Sequence, residues 1–407
     1  MDTVVLIVFA AVYAGMLLGE IPGLALDRAG VALLGAIALV AAGRITVGQA
    51  WNAVDVPTLA LLLGLMVVSA QFRLGGFYAR ASLWIASHEG PPELLLALLV
   101  GVAGLLSALL ANDVVCLAMA PVLATGCARR GLDPVPFLLA LAAAANVGSA
   151  ATLIGNPQNM LIGQTLGLSF GGYLLDALVP SLLGLAVTWA VIAWRFRGRW
   201  SRPAPLKRTE QRDLAFDRWQ TAKGLAVLAA LVAVFLFAPV PREAAALTAA
   251  GLLLLSRRMA SRDILAQVDW HLLVLFIGLF VVNHALLRSG TAEGALAWLR
   301  AGGVDLGRRR WLFAFTVALS NLVSNVPAVM LLLPAARSGT HAGPALALAS
   351  TLAGNLLIVG SIANIIVVDQ AARLGVKIGW RAHAKVGVPV TLLTLALAAV
   401  WLWLRSP

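Results

Sequence analysis

Ser107-Ala-Leu-Leu-Ala-Asn-Asp-Val-Val-Cys-Leu-Ala-Met-Ala-Pro121 and Ser320-Asn-Leu-Val-Ser-Asn-Val-Pro-Ala-Val-Met-Leu-Leu-Leu-Pro334 are the stretches on which the fold turns. Each places polar residues in the middle of an apolar segment, Leu94 to Leu123 and Trp311 to Pro334. The flanks are about 15 residues or fewer, and a spanning helix needs about 20. A helical hairpin that enters and leaves by one face of the membrane fits better. At its tip the backbone leaves the helix. Free C=O groups there can coordinate a cation, and the start of the second arm presents free N–H groups to an anion. Asn112 and Asn325 suit N-cap positions, and Pro327 suits a first helical turn. A carboxylate such as Asp113 is costly in lipid unless it holds a cation or a proton.

Around these stretches the chain reads as membrane protein. Of its 407 residues 61% are hydrophobic and 12% charged, against about 45–50% and about 25% in soluble domains. That excludes a soluble globular domain, a disordered chain and a nucleic-acid binder, despite a formal charge of +12. The excess is membrane-topology charge. The two cysteines make no disulfide framework, and the start lacks the basic region of a removable signal peptide.

Ten spans are expected: Thr3 to Leu18, Ala29 to Ala42, Val56 to Phe72, Val135 to Ile154 running brokenly on to Leu166, Tyr173 to Trp194, Ala222 to Val240, Ala244 to Leu255, Trp270 to Leu287, Ala345 to Val368 and Val386 to Leu404. Residues 196–220 form a basic linker, with Arg197, Arg199, Arg202, Lys207, Arg208, Arg212 and Arg218. Placing it in the cytoplasm puts about 21 of the 30 basic residues inside, including Arg129, Arg130, Arg257, Arg258, Arg373 and Lys377. Both termini then lie outside. Arg308-Arg309-Arg310 is external and runs against the rule.

Slid by 214 positions, the halves match: Arg28 on Arg242, Arg44 on Arg258, Asp55 on Asp269, Gly64 on Gly278, Gly76 on Gly290 and Trp84 on Trp298. A slide of 213 superposes Ser107, Asn112 and Pro121 on Ser320, Asn325 and Pro334. Apolar identities arise by chance in such helices; aligned Asp, Arg, Gly, Trp and Pro do not. Two halves of five spans must be inverted relative to one another, the architecture of secondary transporters. The expected fold is therefore an all-α polytopic membrane protein of two inverted five-span repeats, each with a re-entrant hairpin and a broken helix. Residues 1–195 form the first repeat, with its hairpin over about 92–126, and residues 221–407 the second, with its hairpin over about 309–336.

The broken helices carry a second polar constellation: Asn146, Gly148-Ser149, Thr152 and Gly155-Asn156-Pro157-Gln158-Asn159, against Gly354-Asn355 and Gly360-Ser361-Ile362-Ala363-Asn364. Gly and Pro unwind a helix at mid-depth. Asn156 can cap the new start, with Pro157 in its first position. Singly, such residues often only glue helices together; in corresponding places of two halves they mark a site.

Asn112-Asp113 with Pro121, Gly148 to Asn159, Ser324-Asn325-Val326-Pro327 and Gly354 to Asn364 resemble the ion transporter superfamily. That group holds divalent anion–sodium symporters, citrate transporter-like permeases and arsenite-efflux permeases. The resemblance covers nearly the whole chain. In the divalent-anion symporters, paired Ser-Asn-Thr motifs at the hairpin tips bind a carboxylate substrate and line sodium sites. The tips here are Ala111-Asn112-Asp113 and Ser324-Asn325-Val326; the asparagines match, both Thr and the first Ser do not. Asn112-Asp113 is more similar to the arsenite-efflux permeases. Thr152 to Asn159 is more similar to the Thr-Pro-Pro-Asn stretch of the anion symporters. Overall the chain resembles uncharacterised anion permeases.

The resemblance implies a secondary-active transporter of a small anion, a carboxylate or an inorganic oxyanion, in a bacterial-type inner membrane. Its rivals are an arsenite or antimonite efflux permease and a passive anion channel. Substrate is expected at Asn112, Asn156, Asn159, Ser324, Asn325, Ser361 and Asn364. Ion coupling falls to Asp113 with Asn112, Ser149, Thr152, Asn325 and Asn355, for sodium or protons. No organic cofactor and no protein-bound metal centre is expected, bound sodium apart; some branches are homodimers. The five His are scattered and no Ser–Lys or His–Glu set stands at catalytic spacing, so an enzyme is not expected. Asp55 and Asp269 are read as helix caps, and Cys116 and Cys127 as small buried apolar groups. His284 is a minor candidate for a proton relay and Asp369-Gln370 for a gate. Tyr78 to Ser87 and Ala292 to Arg300 are read as interfacial arms.

Overall fold

The apolar runs become helices whose ends are set by the caps and breaks in the sequence. The computed structural model describes residues 2–19, 24–201, 216–336 and 341–405, and among them it has twenty α-helices and no strand. The first half holds α1 (Thr3–Leu18), α2 (Arg28–Ala41), a short α3 (Val47–Ala53), α4 (Val56–Leu74) and the arm α5 (Phe77–Ser87). The hairpin α6 (Pro92–Leu109) and α7 (Asn112–Arg129) follows, then the half-helices α8 (Pro134–Ser149) and α9 (Pro157–Thr165), and α10 (Phe170–Arg195). The second half repeats the order: α11 (Arg218–Phe237), α12 (Arg242–Leu254), α13 (Ser261–Leu265), α14 (Trp270–Arg288), the arm α15 (Thr291–Ala301), the hairpin α16 (Arg309–Val323) and α17 (Asn325–Ala336), half-helices α18 (Ala342–Ala353) and α19 (Ile362–Arg373), and α20 (Trp380–Leu404). The short α3 and α13 were not expected from the sequence. Part of the basic linker, Arg202, Lys207, Arg208 and Arg212 included, lies outside the described residues.

The chain is thus an all-helical membrane protein of two inverted repeats. Six of the described helices, α4, α6, α10, α11, α14 and α20, are each long and apolar enough to cross a membrane. One of them corrects the sequence reading. The arms α6 and α7 have 18 residues each, about 27 Å at 1.5 Å per residue, so they are not too short to span. The hairpin is defined instead by its tip. The Asn112 amide donates to the Gly155 carbonyl (3.2 Å) and the Thr152 hydroxyl to the Ala108 carbonyl, which docks the tip on the break between α8 and α9. The second hairpin is shorter, with arms of 15 and 12 residues.

The repeat is physical as well as sequential. Asp55 and Asp269 cap α4 and α14, accepting from the amides of Thr58 and Leu272, each at 3.0 Å. Gly76 and Gly290, 214 positions apart, both take a left-handed conformation (φ 71° and 69°) just before the arms α5 and α15, a conformation a side chain would disfavour. Gly64 of α4 rests against Ala246 of α12, and Gly278 of α14 against Ala32 of α2. A Cβ on either glycine would stand 2.7 Å or 2.5 Å from the facing carbonyl carbon. These crossed contacts weld α1, α2 and α4 to α11, α12 and α14 as one scaffold. The hairpins, half-helices, α10 and α20 pack together as a second body. Trp84 and Trp298 on the arms are exposed, as interfacial anchors are.

Candidate functional site

The second body is organised about one side chain. Asn146, near the end of α8, is 1% exposed and uses every hydrogen-bonding position of its amide. Its Oδ1 accepts from Asn112 Nδ2 at the first hairpin tip (3.2 Å) and from Ser361 Oγ at the start of α19 (2.8 Å). Its Nδ2 donates to Asn355 Oδ1 (2.8 Å) and Asn364 Oδ1 (3.3 Å). One residue therefore ties the first hairpin and first broken helix to the second broken helix. The sequence placed Asn146 in the polar constellation but gave no sign that it would be the centre.

The broken helices are built alike. Asn156 caps α9, accepting from the Asn159 amide at 2.9 Å, with Pro157 in the first position as the sequence predicted. Ser361 caps α19, accepting from the Ala363 amide at 3.2 Å. Asn159 Nδ2 donates to the carbonyls of Ser149 (3.4 Å) and Thr152 (2.9 Å). Asn364 Nδ2 donates to those of Gly354 (2.8 Å) and Leu357 (3.1 Å). Each of these partners lies 205 positions from its counterpart. In both halves one asparagine satisfies the carbonyls that unwinding frees, as a buried break requires. The halves also cross-bond: Asn146 donates to Asn364, and the Thr351 hydroxyl donates to Asn159 Oδ1 (3.3 Å). Asn156 Nδ2 donates to Ser149 Oγ (3.0 Å), whose hydroxyl donates to the Asn146 carbonyl.

The hairpin tips differ from the expectation. Asn112 and Asn325 are not N-caps: each is the first helical residue of its arm. The chain turns at Leu110 and Ala111, both non-helical, so the cap position before α7 falls on Ala111 and Asn112 is already helical. The Asn112 side chain is thereby free to reach Asn146. Asn325, its amide nitrogen facing the available acceptors, donates to the carbonyls of Gly360 (3.2 Å) and Ser350 (2.9 Å). Ser324, with φ 74°, is the one non-helical residue between α16 and α17, a strained conformation of the kind that gathers at functional sites. Pro327 sits in the first turn of α17, as expected.

Asn112, Ser149, Thr152, Asn156, Asn159, Asn325, Asn355, Ser361 and Asn364 thus meet in one network; Ser324 and Asp113 stand beside it. Among the described residues Asp113 makes no hydrogen bond or ion pair, although it lies one residue from Asn112. Several buried polar atoms around the network also lack a protein partner: Ser107 Oγ, Asn112 Oδ1, Ser320 Oγ, Asn321 Oδ1 and Asn355 Nδ2. Such atoms are rare in native proteins and each asks for a partner. Both second arms, α7 and α17, begin with no side-chain cap, whereas α9 and α19 are capped. The site can therefore offer oxygens to a cation and N–H groups to an anion.

Sequence reasoning missed two supports. His383, on α20, holds the Asn355 carbonyl through Nε2 (3.0 Å). Tyr173, on α10, donates to the Ala150 carbonyl (2.8 Å) and accepts from Asn159 (3.1 Å). His284 instead lines a pocket of about 180 Å³ with Asp55, Thr165 and Asn283. Cys116 and Cys127 are free and buried. Among the described residues no group of three or more His, Cys, Asp or Glu could hold a metal ion.

Comparison with known proteins agrees with this architecture. The family model described as citrate transporter matches residues 4–345. An uncharacterised transporter of Mycobacterium tuberculosis is 32% identical over 86% of this chain and 87% of its own length. The silicon efflux transporter of Oryza sativa is 28% identical, with 93% of each chain covered. Among solved structures, the Alcanivorax borkumensis YdaH transporter aligns with a TM-score of 0.60 at 16% identity, over 99% of this chain and 97% of that one.

Proposed function

The chain belongs to the citrate transporter family of membrane transporters, and we propose that it moves a small anion, a carboxylate or an inorganic oxyanion, by alternating access coupled to sodium or protons. The observation that carries this reading is the contrast between capped and uncapped helix starts. Where α9 and α19 begin, Asn156 and Ser361 occupy the free N–H groups themselves. Where α7 and α17 begin, no side chain does; at α7 the Gly155 carbonyl takes the Asn112 N–H, and the remaining uncapped N–H groups of the two helix starts are left for a negative guest. Asn112, Asn156, Asn159, Ser324, Asn325, Ser361 and Asn364 are the substrate residues of this reading.

Asp113 is the ion-coupling residue of this reading, assisted by Asn112, Ser149, Thr152, Asn325 and Asn355. A carboxylate at this depth is stable when a cation or proton neutralises it. The unpartnered Asn112 and Asn321 oxygens supply neutral ligands of the kind sodium takes. The basic linker is cytoplasmic and both termini external, which follows the distribution of Lys and Arg.

A second reading is transport of a hydroxylated metalloid such as arsenite. No Lys or Arg is among the residues that form the network, so an uncharged polyhydroxyl species would be as well served by its amides and hydroxyls. One experiment separates these readings: uptake by purified protein in proteoliposomes of citrate, succinate, sulfate, phosphate, arsenite and silicic acid, under imposed sodium or proton gradients. Ion-driven accumulation of a carboxylate or oxyanion is the expected result. Accumulation of the metalloids alone selects the second reading, and flux that only dissipates a gradient would make the protein a channel.

A further inference from the structure

The two repeats are alike in sequence and packing, but the second body does not lean on them equally. At the end of α9, three contacts join it to the scaffold. Arg242 donates to the Gly163 carbonyl (2.7 Å), Gln164 donates to Glu243 Oε2 (2.9 Å), and the Thr165 hydroxyl donates to Asp55 Oδ2 (3.4 Å). On the same side Tyr13 donates to the Pro327 carbonyl (3.3 Å) and Asn283 Nδ2 reaches Met330 Sδ (3.7 Å), so the second hairpin is fastened to α1 and α14.

The repeat specifies what stands in these places at the other end. A slide of 214 carries Arg242 and Asp55 to Arg28 and Asp269; a slide of 205 carries Gly163, Gln164 and Thr165 to Val368, Asp369 and Gln370. Arg28, Asp269, the Val368 carbonyl and Gln370 keep the donors and acceptors of two of the three contacts, while Gln164 and Glu243 become Asp369 and Ala29, yet among the described residues no hydrogen bond or ion pair joins α19 to α2 or α14. Among the described residues the Arg28 side chain makes none at all. Asp369 turns to Arg373 on its own helix (2.8 Å). Asp55 is half-buried under α9 where Asp269 is exposed, and Gln164 is half-buried where Asp369 is exposed. One side of the molecule is latched; its counterpart is open.

We propose that Arg28, Asp269, Val368, Asp369 and Gln370 form a second gate, which closes as the first one opens. Resting on the transport reading, the inference names the residues of the state not seen here. When the second body moves along the scaffold, the α9 latch breaks. Arg28 then takes the Val368 carbonyl as Arg242 now takes that of Gly163, and Gln370 meets Asp269 as Thr165 now meets Asp55. Where the first latch has Gln164 against Glu243, the second has Asp369 facing the Arg28–Ala29 turn, so an ion pair replaces an amide–carboxylate bond. Inverted repeats make the exchange near-isoenergetic, since each state satisfies one set of donors and exposes the other to water. A two-state element with a small gap is what alternating access needs.

The test is paired cross-linking in membranes with a short reducible bis-thiosulfonate, in a background of Cys116→Ala and Cys127→Ala. Gln164→Cys with Glu243→Cys reports the latch seen here. Ala29→Cys with Asp369→Cys reports the proposed gate. We expect both pairs to cross-link, each to stop turnover, and reductant to restore it. A protein that transports and cross-links the first pair but never the second overturns the gate and leaves the transport reading standing. Cross-linking of both pairs in a protein that transports nothing would overturn the transport reading and keep the gate. Should the cysteine variants insert poorly, Arg28→Gln in the native chain serves instead. It is expected to slow turnover several-fold with substrate affinity unchanged and to leave the Gln164–Glu243 side more protected from water-soluble label. Unaltered turnover and labelling overturn the proposal.

Discussion

Asp113 and Asn146 show two ways in which a polar residue earns a place inside a membrane. Asn146 is satisfied by the protein on all sides and acts as a fastener. Among the described residues the Asp113 side chain has no hydrogen-bond or ion-pair partner. The two should therefore fail differently. Asp113→Asn keeps size and hydrogen-bonding capacity but removes the titratable charge. Its expected outcome is correct insertion with ion-driven uptake reduced about tenfold or more, the scale of one lost charged interaction; wild-type ion-dependent uptake would remove Asp113 from the coupling step. Asn146→Ala strips partners from Asn112, Asn355, Ser361 and Asn364 at once. Each buried group left unpaired costs about 1–3 kcal/mol, so thermal unfolding in detergent should shift down clearly and uptake should be lost with it. A variant as stable as wild type would mean that water replaces the amide without loss.

At the scale of elements, the structure rests on close approaches that only small residues allow. Gly64 and Gly278 put the third span of each repeat against the backbone of the other repeat. Overpacking costs about 1–3 kcal/mol where side chains can yield; here the obstacle is a carbonyl group, and the cost should sit at the upper end or above. Gly64→Val and Gly278→Val are expected to lower thermal stability by similar amounts, because the two contacts are copies; a large difference would show that the scaffold is less symmetric than its packing. The caps also belong to this scale. Asp55 and Asp269 were legible as caps because each stands directly before an apolar run, and Asn156 because Pro157 follows it. Asn112 and Asn325 were misplaced by one position. Local sequence does not distinguish a cap from a first helical residue when a distant partner, Asn146 or the Gly360 carbonyl, claims the side chain.

For the whole molecule, inversion is the governing fact. An odd number of spans in each repeat turns the second against the first, so the same residues face opposite sides of the membrane. In the proposed orientation, with the linker cytoplasmic, the closed latch at α9 would be external and the structure would be the inward-facing state. An impermeant thiol reagent should then label Arg199→Cys only after the cytoplasmic face is opened to it, and Gly303→Cys from outside in intact cells. The reverse pattern would invert the orientation while leaving the gates in place.

Composition and patterning alone determined that this chain is helical, lies in a membrane, is duplicated and inverted, and breaks its helices at polar positions. Hydrocarbon imposes helicity, apolar length and satisfied breaks on any spanning sequence, because unpaired peptide groups have no other resolution there; the duplication was legible from matched Asp, Arg, Gly, Trp and Pro residues. The tertiary structure decided which asparagine became the hub, which histidine holds the Asn355 carbonyl, and that the end of α9 is hydrogen-bonded to the scaffold. Those choices depend on side chains some 200 positions apart meeting at distances of about 3 Å. No local pattern encodes such meetings.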